Sequence, residues 1–242
     1  MGRLIVRWRL SASTVLVLTL AACAEKPTLQ ENDPFEPLNR AVFDVNTGFD
    51  KAVALPVAKA YVAVVPDFAR DGVHNFLANL DAPVTFANDV LQGEIRRAGE
   101  TLVRVGFNTT AGIGGVIDVA DAIGIPPHTE DFGQTMAVWG FSEGPYLVLP
   151  LLGPSNPRDA VGLGVDIFFD PLTYADYRDE TFWSIMRYAG AALDIRSRNI
   201  ETLDTVERTS IDYYAAIRSL YRQQRADEIA NSKPSAKSLP QF

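Results

Sequence analysis

The middle third of this sequence constrains the fold more than any other part. From Gly106 to Gly153, ends included, there are nine glycines, and Pro126, Pro127, Pro145 and Pro150 break the stretch further. The same stretch carries the apolar runs 111–119 and 146–152. Gly-rich apolar sequence suits close helix packing or a re-entrant hairpin near lipid. A compact, turn-rich centre of a water-soluble helical protein is the other reading, and composition does not choose between them.

On either side the pattern is helical, and period-two alternation is scarce. Asp33-Pro34 reads as a cap with proline at a first helical position, opening a segment that runs to Leu55 with Phe35, Leu38, Val42, Val45 and Phe49 on one side. Pro56 and Pro66 each predict the start of a short helix, and Pro83 another that ends at Gln92-Gly93. Further helices are expected over 94–109, 157–169, 181–206 and 210–230, and Tyr146 to Leu149 is the one strand-like stretch. The expectation is a mainly α protein with a Gly/Pro-rich central hairpin. Its domain spans residues 33–230, followed by a disordered tail over 231–242 with the polar composition of a chain end.

The N-terminus reads as an export leader. Arg3, Arg7 and Arg9 precede an apolar run from Leu10 to Leu20, too short to span a bilayer. Leu20-Ala21-Ala22 then leads to Cys23, the only cysteine of the 242 residues, in the manner of a bacterial lipobox. This predicts a signal peptide over 1–22, a covalent lipid on Cys23 and a polar tether over 23–32. Ala at position 24, by analogy with enterobacterial sorting, favours the outer membrane. One acyl chain holds marginally and several hold firmly. Without residues 1–22 the net charge falls from −8 to −11, with 19 basic against 30 acidic residues. An acidic body argues against nucleic acid, which needs clustered Lys and Arg. One cysteine and two distant histidines, His74 and His128, leave no multi-thiolate or multi-His metal site.

Several catalytic signatures fail on context. Gly140-Phe-Ser142-Glu-Gly144 matches a nucleophile elbow, but Pro145 follows at once and no histidine lies after Ser142. The two glycines read instead as a flexible hairpin and as hinge candidates, since glycine alone enters positive φ at little cost. Gly112-Ile-Gly114-Gly115 lacks the third glycine of a dinucleotide fingerprint, and no phosphate-binding Gly-x-x-x-x-Gly-Lys exists. His128-Thr-Glu130-Asp131 reads first as a turn and helix cap.

Four constellations are more specific. They are Asp33-Pro-Phe-Glu-Pro-Leu-Asn-Arg40 with Phe43-Asp-Val-Asn46, and Asn75-Phe-Leu-Ala-Asn79 with Asn88-Asp-Val-Leu-Gln-Gly93. Then come Arg104-Val-Gly-Phe-Asn108 with Gly112-Ile-Gly-Gly-Val-Ile-Asp118, and Glu130-Asp-Phe-Gly-Gln134 with Trp139-Gly140, Gly144-Pro-Tyr146 and Gly153-Pro-Ser155. In this order, behind a lipobox, they resemble the MlaA (VacJ) family of outer-membrane lipoproteins. The resemblance implies a ring-shaped helical body lying in one leaflet of the outer membrane. It also implies a polar channel that passes misplaced phospholipid to a periplasmic lipid carrier, keeping the membrane asymmetric. In enterobacteria it further implies association with trimeric porins. It implies no enzymatic activity, no metal and no cofactor beyond the lipid on Cys23 and the phospholipid carried. The short tail after Arg225 departs from the enterobacterial pattern. A channel needs polar walls for a head group, and Asn39, Asn46, Asn75, Asn79 and Asn88 are wall candidates, although a cap or turn is the plainer role for each one singly. A structural lipoprotein that scaffolds envelope complexes is the rival function. Cys23→Ala is expected to prevent lipidation and leave the protein unanchored or unprocessed, which metabolic labelling with palmitate and membrane fractionation check.

Overall fold

The computed structural model describes residues 32–176 and 178–230. The signal peptide, Cys23, the tether up to residue 31 and the tail over 231–242 lie outside the described residues. The remainder is mainly helical. Helix α1 (Glu36–Phe49) runs through a π-helical turn (Asp50–Ala54) directly into α2 (Leu55–Val64). Then follow α3 (Asp67–Gln92), α4 (Ile95–Thr110), the short α5 (Val119–Ala122) and α6 (Phe132–Val138). Strands β1 (Leu147–Leu149) and β2 (Gly153–Ser155) form an antiparallel pair with Val148 opposite Pro154. Helix α7 (Pro157–Phe169) leads through a 3₁₀ turn (Pro171–Thr173) to α8 (Glu180–Arg198), α9 (Ile200–Thr209) and α10 (Tyr213–Ile229).

The helical expectation holds, and so does the strand at Tyr146–Leu149, but several boundaries need correction. Pro56 does not start a separate helix. Proline has no N–H and crowds the carbonyl four residues back, and here the wider π turn just before it lets the helix continue. Pro66 caps a helix of 26 residues, not a short one, and Pro83 lies inside it. The helix that contains Pro83 packs against α4, α6 and α7, so tertiary packing overrides the local breaker. Gly93 ends this helix as expected, at φ +81. The expected helix over 181–206 is two, because the Asn199 amide turns back to the Ile195 carbonyl at 2.8 Å and closes α8 there. The fold-back of the centre is not at Gly140–Gly144. It is the β1–β2 turn at Pro150–Leu152.

Asp33 does not cap α1. Its buried carboxylate accepts from Asn39 at 2.8 Å and Arg218 at 2.7 Å, and from the Tyr214 hydroxyl. The first element is thereby tied to the last. The closest helix crossing is α6 on α7. A Cβ on Gly162 would lie 2.5 Å from the Gly133 backbone nitrogen, so both positions need glycine.

Polarity is distributed unusually. Among the described residues, seven apolar residues are buried against eighteen polar or charged ones. Meanwhile Val64, Phe68, Ile95, Leu151, Leu152 and many other large apolar side chains are exposed. Exposed apolar residues are common singly, but buried polar groups and extensive apolar surface are informative. No helix among the described residues is long and apolar enough to cross a membrane. The crossing makes a paired prediction. Gly162→Ala forces backbone apart and should cost about 2–4 kcal/mol, whereas Gly164→Ala, with open space at its Cβ, should stabilise by about 0.5–1 kcal/mol. Chemical denaturation of the purified variants in detergent checks both.

Candidate functional site

Two asparagines of α1, seven residues apart, hold the central hairpin. The Asn39 amide donates to the Tyr146 carbonyl at 2.9 Å and its oxygen accepts from the Val148 N–H at 3.0 Å. Asn46 repeats this one step further on, with the Leu149 carbonyl at 2.9 Å and the Leu151 N–H at 2.9 Å. Only an amide offers a donor and an acceptor side by side to match a strand backbone. Asn88 is also fully engaged. It is buried, donates to Asp166 at 2.9 Å and accepts from Thr135 at 2.7 Å. Asn75 and Asn79 are half-buried on α3 and face the glycine loop over 112–118. Asn75 donates to the Val116 carbonyl at 3.3 Å, and Asn79 to the Thr109 hydroxyl at 3.0 Å. Gly115, at φ +98, leaves no room for a Cβ against Asn79. The structure therefore does not bring the five asparagines together. Three sit in internal joints and two lie along one helix.

A polar cavity of about 370 Å³ lies between α6, α7 and α10, bordered by Asp131, Asp159, Asp166, Tyr221, Arg225 and Glu228. Arg225 is its organising group. It meets Asp131 through two nitrogens at 2.6 Å each and Asp159 at 2.9 and 3.1 Å. Burial alone would raise both carboxyls, but the Arg225 guanidinium outweighs it and holds both below the usual carboxylate range. Burial likewise disfavours the charge on Arg225, and the two carboxylates more than reverse this. Asp131 also caps α6 by accepting from the Gln134 N–H at 2.9 Å, as the turn-and-cap reading expects. Asp166 differs. Burial pushes its carboxyl up to about 6, only partly offset by hydrogen bonds from Asn88 and the Phe132 N–H, with Asp131 adding repulsion.

Beneath the cavity a second buried network joins Asp89, Thr101, His128, Arg97 and Glu130. The Thr101 hydroxyl donates to Asp89 at 2.8 Å, and Arg97 donates to Glu130 at 2.7 Å. His128 Nε2 lies 3.1 Å from Asp89, and His74 Nδ1 lies 2.7 Å from Asp194 of α8. Both histidines are thus committed to carboxylates remote in sequence from Ser142, which is exposed on the α6–β1 connection. Gly140 and Gly144, at φ +93 and +75, shape that connection, and Gly144 packs against the Pro157 ring. The Arg225 cluster escaped the sequence reading because its members lie 66 and 94 residues apart. The one available signal was Arg158-Asp159 following Asn156-Pro157, a capped helix start with charge in its first turn.

Titration of Asp166 has a definite sign. Its folded pKa is raised, so the folded state binds the extra proton between about pH 4 and pH 6, and stability falls as pH rises through that window. Asp131 and Asp159 act oppositely and lose their contribution only in stronger acid. Thermal midpoints should therefore drop between pH 4 and pH 6. The change is on the order of 1 kcal/mol, because solvent screens a partly exposed carboxylate. Asp166→Asn should flatten that part of the profile.

The profile of the MlaA lipoprotein family matches residues 31–228. The intermembrane phospholipid transport system lipoprotein MlaA of Escherichia coli (strain K12) is 33% identical over 234 residues, 93% of this chain and 90% of that protein. Its namesake in Haemophilus influenzae is 30% identical over 92% of each chain. An uncharacterized protein of Rickettsia felis is 34% identical over 83% of this chain and 79% of its own length. A solved structure described as the structural basis for maintenance of bacterial outer membrane lipid asymmetry superposes with a TM-score of 0.72. It is 33% identical and covers 82% of this chain and 99% of that one. Profile, sequence and fold agree over the body of the molecule, and this chain belongs to the MlaA lipoprotein family.

Proposed function

We infer that this protein is an outer-membrane lipoprotein of intermembrane phospholipid transport. It removes phospholipid misplaced in the outer leaflet and passes it to a periplasmic carrier, which keeps the membrane asymmetric. Family membership supports the transport role, and the observation that carries it is the reversed polarity of the body, with charge inside and large apolar side chains outside. A body immersed in one leaflet gains by exposing apolar side chains to lipid. A head group crossing it needs hydrogen-bonding walls, because an unpaired charge in an apolar medium is costly. In this reading acyl chains on Cys23 anchor a ring-shaped body in the inner leaflet. Asn75 and Asn79 remain the wall candidates whose amides are half-exposed, while Asn39, Asn46 and Asn88 brace the structure behind the wall. Association with trimeric porins is carried by the family resemblance alone.

The protein acts without catalysis in this reading, and Ser142 is a connection residue. Gly140 and Gly144 serve as hinges between α6 and the hairpin. Proline cannot adopt their positive φ, so Gly140→Ala, with free space around its Cβ, is a gentler variant than Gly140→Pro. Deletion of the gene is expected to leave excess phospholipid in the outer leaflet, measured by labelling intact cells with an impermeant amine reagent. Ser142→Ala should restore the wild-type level. Gly140→Ala, strained at φ +93, should restore it incompletely, with a loss of transport larger than its loss of thermal stability accounts for. A deletion strain with a normal outer leaflet would overturn the transport reading in favour of a scaffold.

A further inference from the structure

A second cavity, of about 530 Å³, lies apart from the charged one, between the N-terminal half of α3 and the start of α8. Val73, Phe76, Leu77 and Leu80 form one wall, and Trp183 and Met186 the other, with Leu172 closing one side. Phe76, Trp183 and Met186 are each between two-fifths and three-fifths exposed. Interiors normally close-pack and leave few voids larger than a water molecule. An open apolar cavity of this size is costly in water, and its volume falls within the roughly 300–1,000 Å³ of ligand sites.

Its border is not apolar. The Arg187 guanidinium bridges Asp81 on α3 and Asp170 at the start of the 3₁₀ turn, and all but 12% of the Arg187 side chain is buried. The guanidinium is taken up by the two carboxylates, so the tripod offers a fixed polar edge and no spare cation for a phosphate. Asp170 and Arg187 line the cavity itself. An apolar hollow that ends at a charged border has the same polarity division as a phospholipid, whose chains are apolar and whose head is charged. A protein segment would need its backbone polar groups satisfied inside the hollow, and a hydrocarbon chain has none to satisfy.

We propose that the cavity between α3 and α8 holds one acyl chain of the transported phospholipid, with the Arg187–Asp81–Asp170 border marking where hydrocarbon ends. This rests on the transport reading and adds to it a subsite for the chain. The cavity selects by chain and not by head group, since its walls are hydrocarbon.

Gly190 makes the proposal testable. It lines the cavity, and a Cβ built there meets nothing within 4 Å. Gly190→Leu therefore plugs the hollow without displacing backbone, and Ser184→Leu plugs it from the same helix should the first variant fail to fold. Gly164→Leu, also with open space at its Cβ and outside the cavity, is the control. The full lipidated protein in detergent is titrated with a phosphatidylcholine carrying a dibrominated acyl chain, and tryptophan fluorescence is read. We expect saturable quenching that disappears in Trp183→Phe. The half-saturation concentration should rise several-fold in the plugged variants, stay unchanged in Gly164→Leu, and stay the same when phosphatidylglycerol replaces phosphatidylcholine. Quenching that never saturates, or that survives the plug, overturns the proposal. So does a dimer that dissociates in Gly190→Leu, because the hollow would then seat a second copy. The transport reading fails separately. If deletion disturbs the outer leaflet and Gly190→Leu both repairs it fully and binds lipid as wild type, only the chain site is lost.

Discussion

Much of this structure depends on the pairing of Arg225 with Asp131 and Asp159. The arginine comes from the last helix, one carboxylate from the cap of α6 and the other from the first turn of α7. A buried ion pair is a weak source of net stability, because desolvation opposes the attraction, but removing one partner leaves a stranded charge. Here each carboxylate also accepts from a neighbour, Gln134 for Asp131 and Tyr221 at 2.6 Å for Asp159. The pairing therefore fixes where three helix ends meet. Gly133 must be glycine because Arg225 and Asp159 press within 2.6 Å of where its Cβ would be. Bringing charge to the centre requires backbone to come close, and the small residues of the middle third allow it.

The same constraint explains how this body can carry charge inside and apolar side chains outside. In water the apolar surface would drive collapse or association. In a leaflet that force is absent, and packing and internal hydrogen bonds must hold the helices together. The body is laced accordingly. Asp33 joins α1 to α10, Arg187 joins α3 to the 3₁₀ turn, and Arg196 joins α8 to the π-helical turn through Asp50 at 2.6 Å. Each link spans more than one hundred residues or ties a loop to a helix far from it in sequence, apart from the contact within the α7–α8 connection.

Helix content and the strand at Tyr146–Leu149 were legible because apolar periodicity is local. The series of motifs was legible because each is a contiguous run of residues. Boundaries governed by tertiary contact were not. Pro83 reads as a helix start and yet lies within α3, a helix that packs against three others. The amides of Asn39, Asn46 and Asn88 read as channel wall or as caps, yet their partners lie 107 and 103 residues away for the first two and 47 and 78 for the third. Residue type pointed to hydrogen bonding with oxygen acceptors, and spacing along the chain could not say whose. The Arg225 cluster was invisible for the same reason, since any of thirty acids could have been its partner.

The two-asparagine clasp has a consequence for how such a chain survives before it reaches its membrane. A lone two-stranded ribbon carries a row of unpaired amide and carbonyl groups along its outer margin, and such margins recruit strands from other molecules. Asn39 occupies that margin of β1 at Tyr146 and Val148, and Asn46 takes the groups just beyond it. A helix thus stands in as the missing third strand and spends two side chains to do so. A short run of Leu-Val-Leu, followed by two more leucines after Pro150, has its outer backbone margin covered by the first helix of the body. Both asparagines belong to the first helix, so the strand margin is covered by chain more than one hundred residues before it.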